Sequence, residues 1–383
     1  MNFVEKFFNN QRHNVEKGGK YHWLRSTFDA FESFAFVSNR TASSGSHFRD
    51  AIDMKRAMII VVIALVPAML FGMFNVGYQH FLSHGEVVSF WTMFWYGFLK
   101  ILPLIIVSYV VGLAIEFIFA QIRGEEVAEG YLVTGFIIPL ICPPDVPLWQ
   151  LAIAVAFAVV IGKEVFGGTG MNFLNPALVA RAFLFFSYPA QMSGDMVWIC
   201  DKSDAFSGAT PLSQMMAGAN VPTNSLFDMM TGLIPGSVGE TSLIAILLGA
   251  IILLITNMAS WRVMLSVFVG GAVMGIIFNI FGTNNYMQLP FYYHFVMGGF
   301  AFGAVFMATD PVTAAQTNKG KYIYGFLIGT MTVLIRVVNP AYPEGMMLAI
   351  LLMNVFAPLI DYYVVQANIN HRKKREKALL INK

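Results

Sequence analysis

Charge is scarce in this chain of 383 residues: Asp, Glu, Lys and Arg make up 12% of it, where a soluble domain carries about 25%. Hydrophobic residues reach 57%, so water is not its main solvent. The formal net charge of +2, with the basic residues segregated, argues against a nucleic-acid partner. Cysteine is scarce too. Cys142 and Cys200 cannot supply a four-thiolate iron–sulfur cluster and permit one disulfide at most, so both are read as ordinary apolar residues. Residues 1–55 lack the apolar core of a cleavable signal peptide, so the first hydrophobic run must itself direct insertion. No G-x-G-x-x-G follows a strand pattern, no P-loop is present, and no soluble stretch is large enough to hold a dinucleotide.

Long apolar runs are abundant. A membrane-spanning helix needs roughly 20 predominantly apolar residues. Stretches of that order, broken by polar or Gly/Pro punctuation, number ten: 57–77, 98–121, 129–143, 147–166, 173–190, 241–257, 261–282, 289–309, 321–338 and 345–367. The third ends at Pro143-Pro144 and several others carry internal Gly or Pro, which points to broken helices. Lys and Arg set the orientation, because they are retained on the cytoplasmic side. Of the 24, nine precede residue 57, six follow residue 371, and Arg123, Lys163, Arg262, Lys319 and Lys321 fall in alternate loops, which puts 20 on one side of a ten-span chain. Both termini are then cytoplasmic, and the two five-span halves are oppositely oriented, the inverted-repeat plan.

The expected fold is an all-α integral membrane protein whose two inverted five-helix repeats resemble urea and ammonium channels. A basic, amphipathic cytoplasmic segment covers 1–55, the first repeat 56–190, an extracytoplasmic loop 191–240, the second repeat 241–367 and a basic cytoplasmic tail 368–383. A weak internal echo supports the two halves: Gly167-Gly168 precedes Asn175-Pro176, and Gly298-Gly299 precedes Asp310-Pro311, each at the inner end of a span. Such pairs build a ligand site from irregular backbone, or serve plain helix packing.

Acids inside apolar runs are costly unless they serve an ion path or an ion pair. Glu116 and Asp361 are the leading candidates, flanked by Glu344 near the outer end of the tenth span and Asp310 at the inner end of the eighth. Arg181 in the fifth span is a potential structural partner for one of them. Phe295, Phe302 and Phe306 recur at helical spacing, and either narrow a pathway or pack the core.

In the long loop, Asp204-Ala-Phe-Ser207-Gly208-Ala209-Thr210-Pro211 reads locally as a Ser-Gly turn followed by an N-cap threonine with proline at the first helical position. It also fits D-x-x-[ST]-G-A-[TS], the pattern at which a flavin transferase attaches FMN through a phosphoester to the last hydroxyl. Together with SSGSHFRDAIDMKRAMI, PPDVPLWQ, GKEVFGGTGMNFLNPAL, RAFLFF, IPGSVGE, GGFAFG, MATDPV and IRVVNPAYPEGMMLAIL, it makes the chain closely resemble the B-subunit family of the Na⁺-translocating NADH:quinone reductases over nearly its whole length.

The resemblance implies covalent FMN on Thr210, within a motif that includes Asp204, Ser207, Gly208 and Ala209, facing the periplasm across a bacterial inner membrane. It implies non-covalent riboflavin at Asn172 to Asn175, where the amides either meet the flavin's polar edge or satisfy broken-helix backbone. Quinone, as ubiquinone or menaquinone, is the implied electron acceptor, and Gly112 matches a glycine linked to quinone and inhibitor effects. Trp23, with Phe28, Phe34 and Phe36 among basic residues, either borders the quinone entrance or anchors the segment on the membrane surface. For Na⁺, the path candidates are Glu116, Asp361, Glu344, Asp310, Phe302 and Phe306. NADH must be oxidised elsewhere, in a six-subunit complex with NADH-oxidising, FMN-carrying and iron–sulfur subunits, from which electrons reach FMN, then riboflavin, then quinone. A flavin transferase and membrane lipid complete the expected partners.

Three alternatives stay open. The D subunit of the ion-pumping ferredoxin:NAD⁺ complex shares the flavinylation motif, although the basic N-terminal extension and the R-V-V-N-P-A-Y-P-E-G stretch favour the quinone reductase. A flavin-free solute channel and a passive assembly subunit are the others, and covalent flavin separates both from the leading reading.

Overall fold

Apolar runs become helices here because in lipid every backbone N–H and C=O must be satisfied within the chain. The computed structural model describes residues 54–124, 127, 129–203, 206–339, 342 and 344–381, with Arg12, Val15, Arg25, Thr27, Phe28 and 44–46 from the N-terminal segment. Trp23 and Asp204, both singled out in the sequence, lie outside the described residues, as does most of the segment 1–55. The described chain is helical, in the order α1 (Met54–His84), α2 (Phe90–Arg123), α3 (Tyr131–Ile141), α4 (Leu148–Gly162), α5 (Pro176–Ser187), α6 (Leu243–Ile255), α7 (Trp261–Phe281), α8 (Phe300–Phe302, running into a π-helical turn Gly303–Met307), α9 (Asn318–Val338) and α10 (Met346–Ile381), with shorter helical turns between them.

Among the described residues, six helices are long and apolar enough to cross a membrane: α1, α2, α4 with the turn that follows it, α7, α9 and α10. The expected spans at 129–143, 173–190 and 241–257 are helices of 11, 12 and 13 residues. At 1.5 Å per residue these reach only about 16–20 Å, short of a hydrocarbon core of ~30 Å. The expected span at 289–309 is broken further, into Tyr293–Val296, Phe300–Phe302 and the π-helical turn. Each break has a local cause. Pro176 opens α5 behind Asn175, Cys142 ends α3 in extended backbone just before Pro143, and Gly298 interrupts the eighth segment at φ +60°.

The exposed face of α2 shows its solvent directly: Trp91, Trp95, Leu99, Ile106, Val110 and Ile118 all point outward. A contiguous apolar face of this kind fits lipid rather than water. Inside, α7 packs along α9, with Gly270 against the Phe326 backbone and Gly329 against the Val267 backbone, the close approach that small residues permit between membrane helices. In the first half α2 packs on α4 and α4 on α5; in the second, α7 packs on α9 and α9 on α10, while α1 and α6 meet across the halves.

Candidate functional site

Two of the cavities lie at opposite ends of α6: Glu240 and Thr241, just before it, line one, and Leu253, Met258 and Ala259, at its far end, line the other. The first is lined by Thr210, Pro211, Ser213, Ser237, Glu240, Thr241, Gly298 and Glu344, among others, and has a volume of about 60 Å³. Thr210 sits at its rim as the N-cap of the short helix Pro211–Met216. Its Oγ1 accepts from the Ser213 N–H at 3.2 Å and donates to Ser213 Oγ at 3.2 Å. The preceding turn is wrapped around Asp195: Ser207 Oγ donates to Asp195 Oδ1 at 3.1 Å, and a Cβ on Gly208 would collide with the Asp195 carbonyl oxygen, so only glycine fits there. Lys202 binds Asp195 Oδ2 at 2.7 Å, and this contact first, with the Ser207 bond, holds the Asp195 carboxyl below its ordinary range. Ala209 offers its carbonyl to Gln214 Nε2 at 3.0 Å.

The loop that carries Thr210 is tied to the C-terminal half of α1 and the N-terminal half of α2. Tyr96 donates to Asp201 Oδ2 at 2.8 Å, Lys100 binds the same oxygen at 2.7 Å, and His80 Nδ1 meets the Cys200 carbonyl at 2.9 Å while its ring stacks on Tyr96. Asp201 is held at φ +45° by these contacts.

Beneath Thr210 lies a buried ion cluster. Arg181, 2% exposed on α5, binds Glu240 at 3.4 Å and Glu344 more closely. The Arg181 partner sought in the sequence is therefore Glu344, joined by Glu240. Arg336 on α9 is fully buried and donates to three backbone carbonyls, those of His294 at 2.6 Å, Met297 at 2.9 Å and Glu344 at 2.8 Å. Glu240, Ser237 and Arg336 were not singled out in the sequence. Glu240 carried a signal, an acid inside IPGSVGE at the edge of an apolar run, but its burial came from a loop whose path the sequence does not reveal.

The second cavity, of about 140 Å³, is bordered by Ala57 and Met58 at the N-terminal end of α1 and by Lys163, Thr169, Asn172, Asn175, Phe306, Thr309 and Asp310. It brings the two echo motifs, Asn175-Pro176 and Asp310-Pro311, to one place. Both asparagines also do the work of the broken backbone: Asn175 Oδ1 accepts from the Ala177 and Leu178 N–H groups, capping α5, and Asn172 Nδ2 donates to the Leu174 carbonyl at 2.9 Å. Their other amide atoms make no hydrogen bond among the described residues. Asp310 accepts from the Val312 N–H at 3.1 Å and Thr313 Oγ1 at 2.9 Å.

Phe302 and Phe306 stand in the protein interior with ring centroids 5.0 Å apart, 0% and 5% exposed. Phe306 borders the second cavity. A Cβ on Gly239, the neighbour of Glu240, would sit 3.2 Å from the Phe302 ring, so the pair extends from one cavity toward the other. Phe295 belongs to a separate aromatic group with Phe268, Phe291 and Phe300.

The remaining acids are engaged in pairs or turns. Glu116 on α2 binds Lys163 at the end of α4, both side chains 4% exposed. Asp361 on α10 accepts from the Gln316 N–H at 2.6 Å and from the Thr317 N–H and hydroxyl, clamping the turn that opens α9. Gly112 is buried on α2 against Tyr131, whose hydroxyl donates to the Ser108 carbonyl at 2.9 Å; any side chain at 112 would enter that ring.

The described residues form a helical membrane protein with a cavity at each end of α6. Residues 41–370 match the model of the NQR2, RnfD, RnfE family, and the chain belongs to that family. It is 49% identical to the B subunit of the Na⁺-translocating NADH-quinone reductase of Ectopseudomonas mendocina, over 97% of this chain and 99% of that protein. It is 50% identical to the B subunit from Chromohalobacter salexigens over 95% of each, and 47% identical to that of Azotobacter vinelandii over 97% and 99%.

Proposed function

We propose that this chain is the membrane subunit of a Na⁺-translocating NADH:quinone oxidoreductase complex, carrying covalent FMN on Thr210 and riboflavin beside Asn172 and Asn175. The observation that carries it is the location of Thr210 and of the Asn172–Asn175 stretch in two cavities at opposite ends of α6, in a chain nearly half identical to its B-subunit relatives. The two flavins would supply one-electron carriers able to pass reducing equivalents on to quinone.

The residues present fit those groups. Thr210 Oγ1 lies on a cavity wall and already accepts the Ser213 N–H, a bond that an ester oxygen can keep. At the other end, Asn172 Oδ1, Asn175 Nδ2 and the unpartnered Thr169 Oγ1 supply the mixed donors and acceptors that a ring edge with carbonyls and N–H groups requires. A cavity near 150 Å³ holds about one aromatic ring, so this one takes a ring edge rather than a whole isoalloxazine.

Expelling one Na⁺ costs about 2.3 kcal/mol per 100 mV of membrane potential, so ion access must be switched rather than left open. Phe302 and Phe306 bar the route between the cavities, with Glu344 at one end and Asp310 at the other, while Glu116 and Asp361 flank it. The ten-span inverted repeat fits the paired packing of the two halves, with the four shorter helical segments meeting inside the bundle. Positive residues at both chain ends put the termini in the cytoplasm and Thr210 in the periplasm of a bacterial inner membrane. Gly112, and Trp23 in the N-terminal segment, border the proposed quinone entrance. NADH oxidation then falls to other subunits of the complex, and Thr210 loading to a flavin transferase.

Intact-mass and in-gel fluorescence measurement of the subunit, expressed with its flavin transferase, tests this directly. A mass increment of one FMN with ultraviolet fluorescence, both lost in Thr210→Ala, is the expected result. No increment in the fully processed native complex would leave a flavin-free channel or scaffold as the better reading.

A further inference from the structure

The cavity that Thr210 lines contains two buried oxygens without hydrogen-bond partners among the described residues: Glu240 Oε1 and Thr241 Oγ1. Their residues are 6% and 4% exposed. A buried carboxylate oxygen is costly unless a cation or a donor meets it. Here the compensation is all on one side. Arg181 and Ser237 both bind the other oxygen, Glu240 Oε2, and Arg181 holds Glu344 more closely than Glu240. One guanidinium is thus divided between two carboxylates. Arg336, the other cation nearby, has its three hydrogen bonds committed to backbone carbonyls. Gly299 makes room for the Glu240 carboxylate itself, since a Cβ there would run into it.

We propose that Glu240 Oε1 and Thr241 Oγ1 are ligands of a Na⁺ site in the wall of the cavity that Thr210 lines. One anionic and one neutral oxygen form the donor set of a hard cation, whereas a transition metal calls for sulfur or imidazole. Na⁺ would meet the one Glu240 oxygen that no donor reaches among the described residues. The site lies across the Phe302–Phe306 pair from the cavity of Asp310, so an ion held there has passed the barrier, or has yet to enter it. The inference rests on the Na⁺-translocation reading and assigns that reading a binding site on the Thr210 side.

The test uses the purified, flavin-loaded complex and its Thr241→Val, Thr241→Ser and Glu240→Gln variants. ²³Na NMR titration reads Na⁺ binding, and the Na⁺ concentration for half-maximal quinone reduction is measured in parallel, with Li⁺ and K⁺ as comparison ions. Thr241→Val removes one oxygen and no charge. It is expected to raise the half-saturating Na⁺ at least tenfold and to weaken binding in the titration equally, with the Thr210 flavin and complex assembly unchanged. Thr241→Ser restores both values, and Glu240→Gln weakens both further. Unchanged Na⁺ binding and half-saturation in Thr241→Val overturn the site while leaving Na⁺ translocation standing. A wild-type complex with neither Na⁺ binding nor Na⁺-stimulated turnover overturns the translocation reading itself. Should Glu240→Gln fail to assemble, Thr241→Val decides alone.

Discussion

Arg181 on α5 grips the carboxylate of Glu344, 163 residues further along the chain, and with Glu240 it forms a buried bridge between the two halves of the protein. Removing one partner of a buried ion pair leaves the other charged and unsolvated, at about 3–5 kcal/mol. Arg181→Leu leaves two carboxylates in that state. The expected outcome is a loss of folded subunit of that order, seen as a lowered melting temperature in detergent and poor recovery of the complex. Glu344→Gln, which keeps a hydrogen-bond acceptor, is expected to cost less.

Glu116 and Lys163 form the corresponding bridge between α2 and α4. Glu116→Gln and Lys163→Met each strand a buried charge and are expected to destabilise the subunit singly. The double variant removes both charges and is expected to be more stable than the sum of the single losses predicts. A double-mutant cycle on thermal unfolding reads the coupling, expected at about 0.5–3 kcal/mol. Additive losses would show that the pair is not coupled.

Gly112 carries α2 past the Tyr131 ring. Gly112→Ala is expected to overpack this contact by about 1–3 kcal/mol, and a smaller residue at 131 in the same chain is expected to recover part of the loss. Quinone KM measured beside thermal stability separates two origins. A KM change that persists once packing is restored marks a quinone contact, and recovery of both marks a packing effect.

Phe302→Ala is expected to open the barrier between the cavities. Truncating a buried Phe costs about 3–5 kcal/mol, so stability is measured first, at the temperature of the flux assay. In proteoliposomes the variant is expected to leak ²²Na⁺ without NADH, whereas wild type is tight. A tight Phe302→Ala vesicle would assign the ring to core packing alone.

Asp195 sets an acid limit on the Thr210 loop. Lys202, then Ser207, hold its carboxyl below its ordinary value of 3.8, so the stability it contributes is present above that value and is lost as pH falls through the lower folded-state value. Limited proteolysis of the 195–208 loop is expected to accelerate only below the ordinary carboxylate range. Asp195→Asn is expected to show the faster cleavage already at neutral pH.

The helices themselves were legible because lipid makes the period of the pattern irrelevant: a sustained apolar run has no alternative to hydrogen-bonding its own backbone. The runs expected at 57–77, 98–121, 261–282, 321–338 and 345–367 are long helices for that reason, and Asn175-Pro176 signalled the start of α5 through cap chemistry alone. Length was less legible. The short α3, α5 and α6 have the composition of spanning helices, but α3 and α5 end ahead of Pro143 and Pro189 and α6 ends just ahead of Asn257 in the left-handed region, and composition does not register where distant helices pack against those ends.

By itself the sequence determined a helical membrane protein, placed a threonine at a helix N-cap in a Ser-Gly-Ala-Thr turn, and singled out Glu116, Glu344, Asp310 and Asp361 as acids within apolar runs, though not Glu240. Tertiary structure alone decided the partners of those acids: Arg181 took Glu344 and Glu240, Lys163 took Glu116, and Asp361 took the turn before α9. The physical reason is that a buried charge is settled by whichever group lies within about 4 Å, and residues tens to hundreds of positions apart are brought that close only by helix packing.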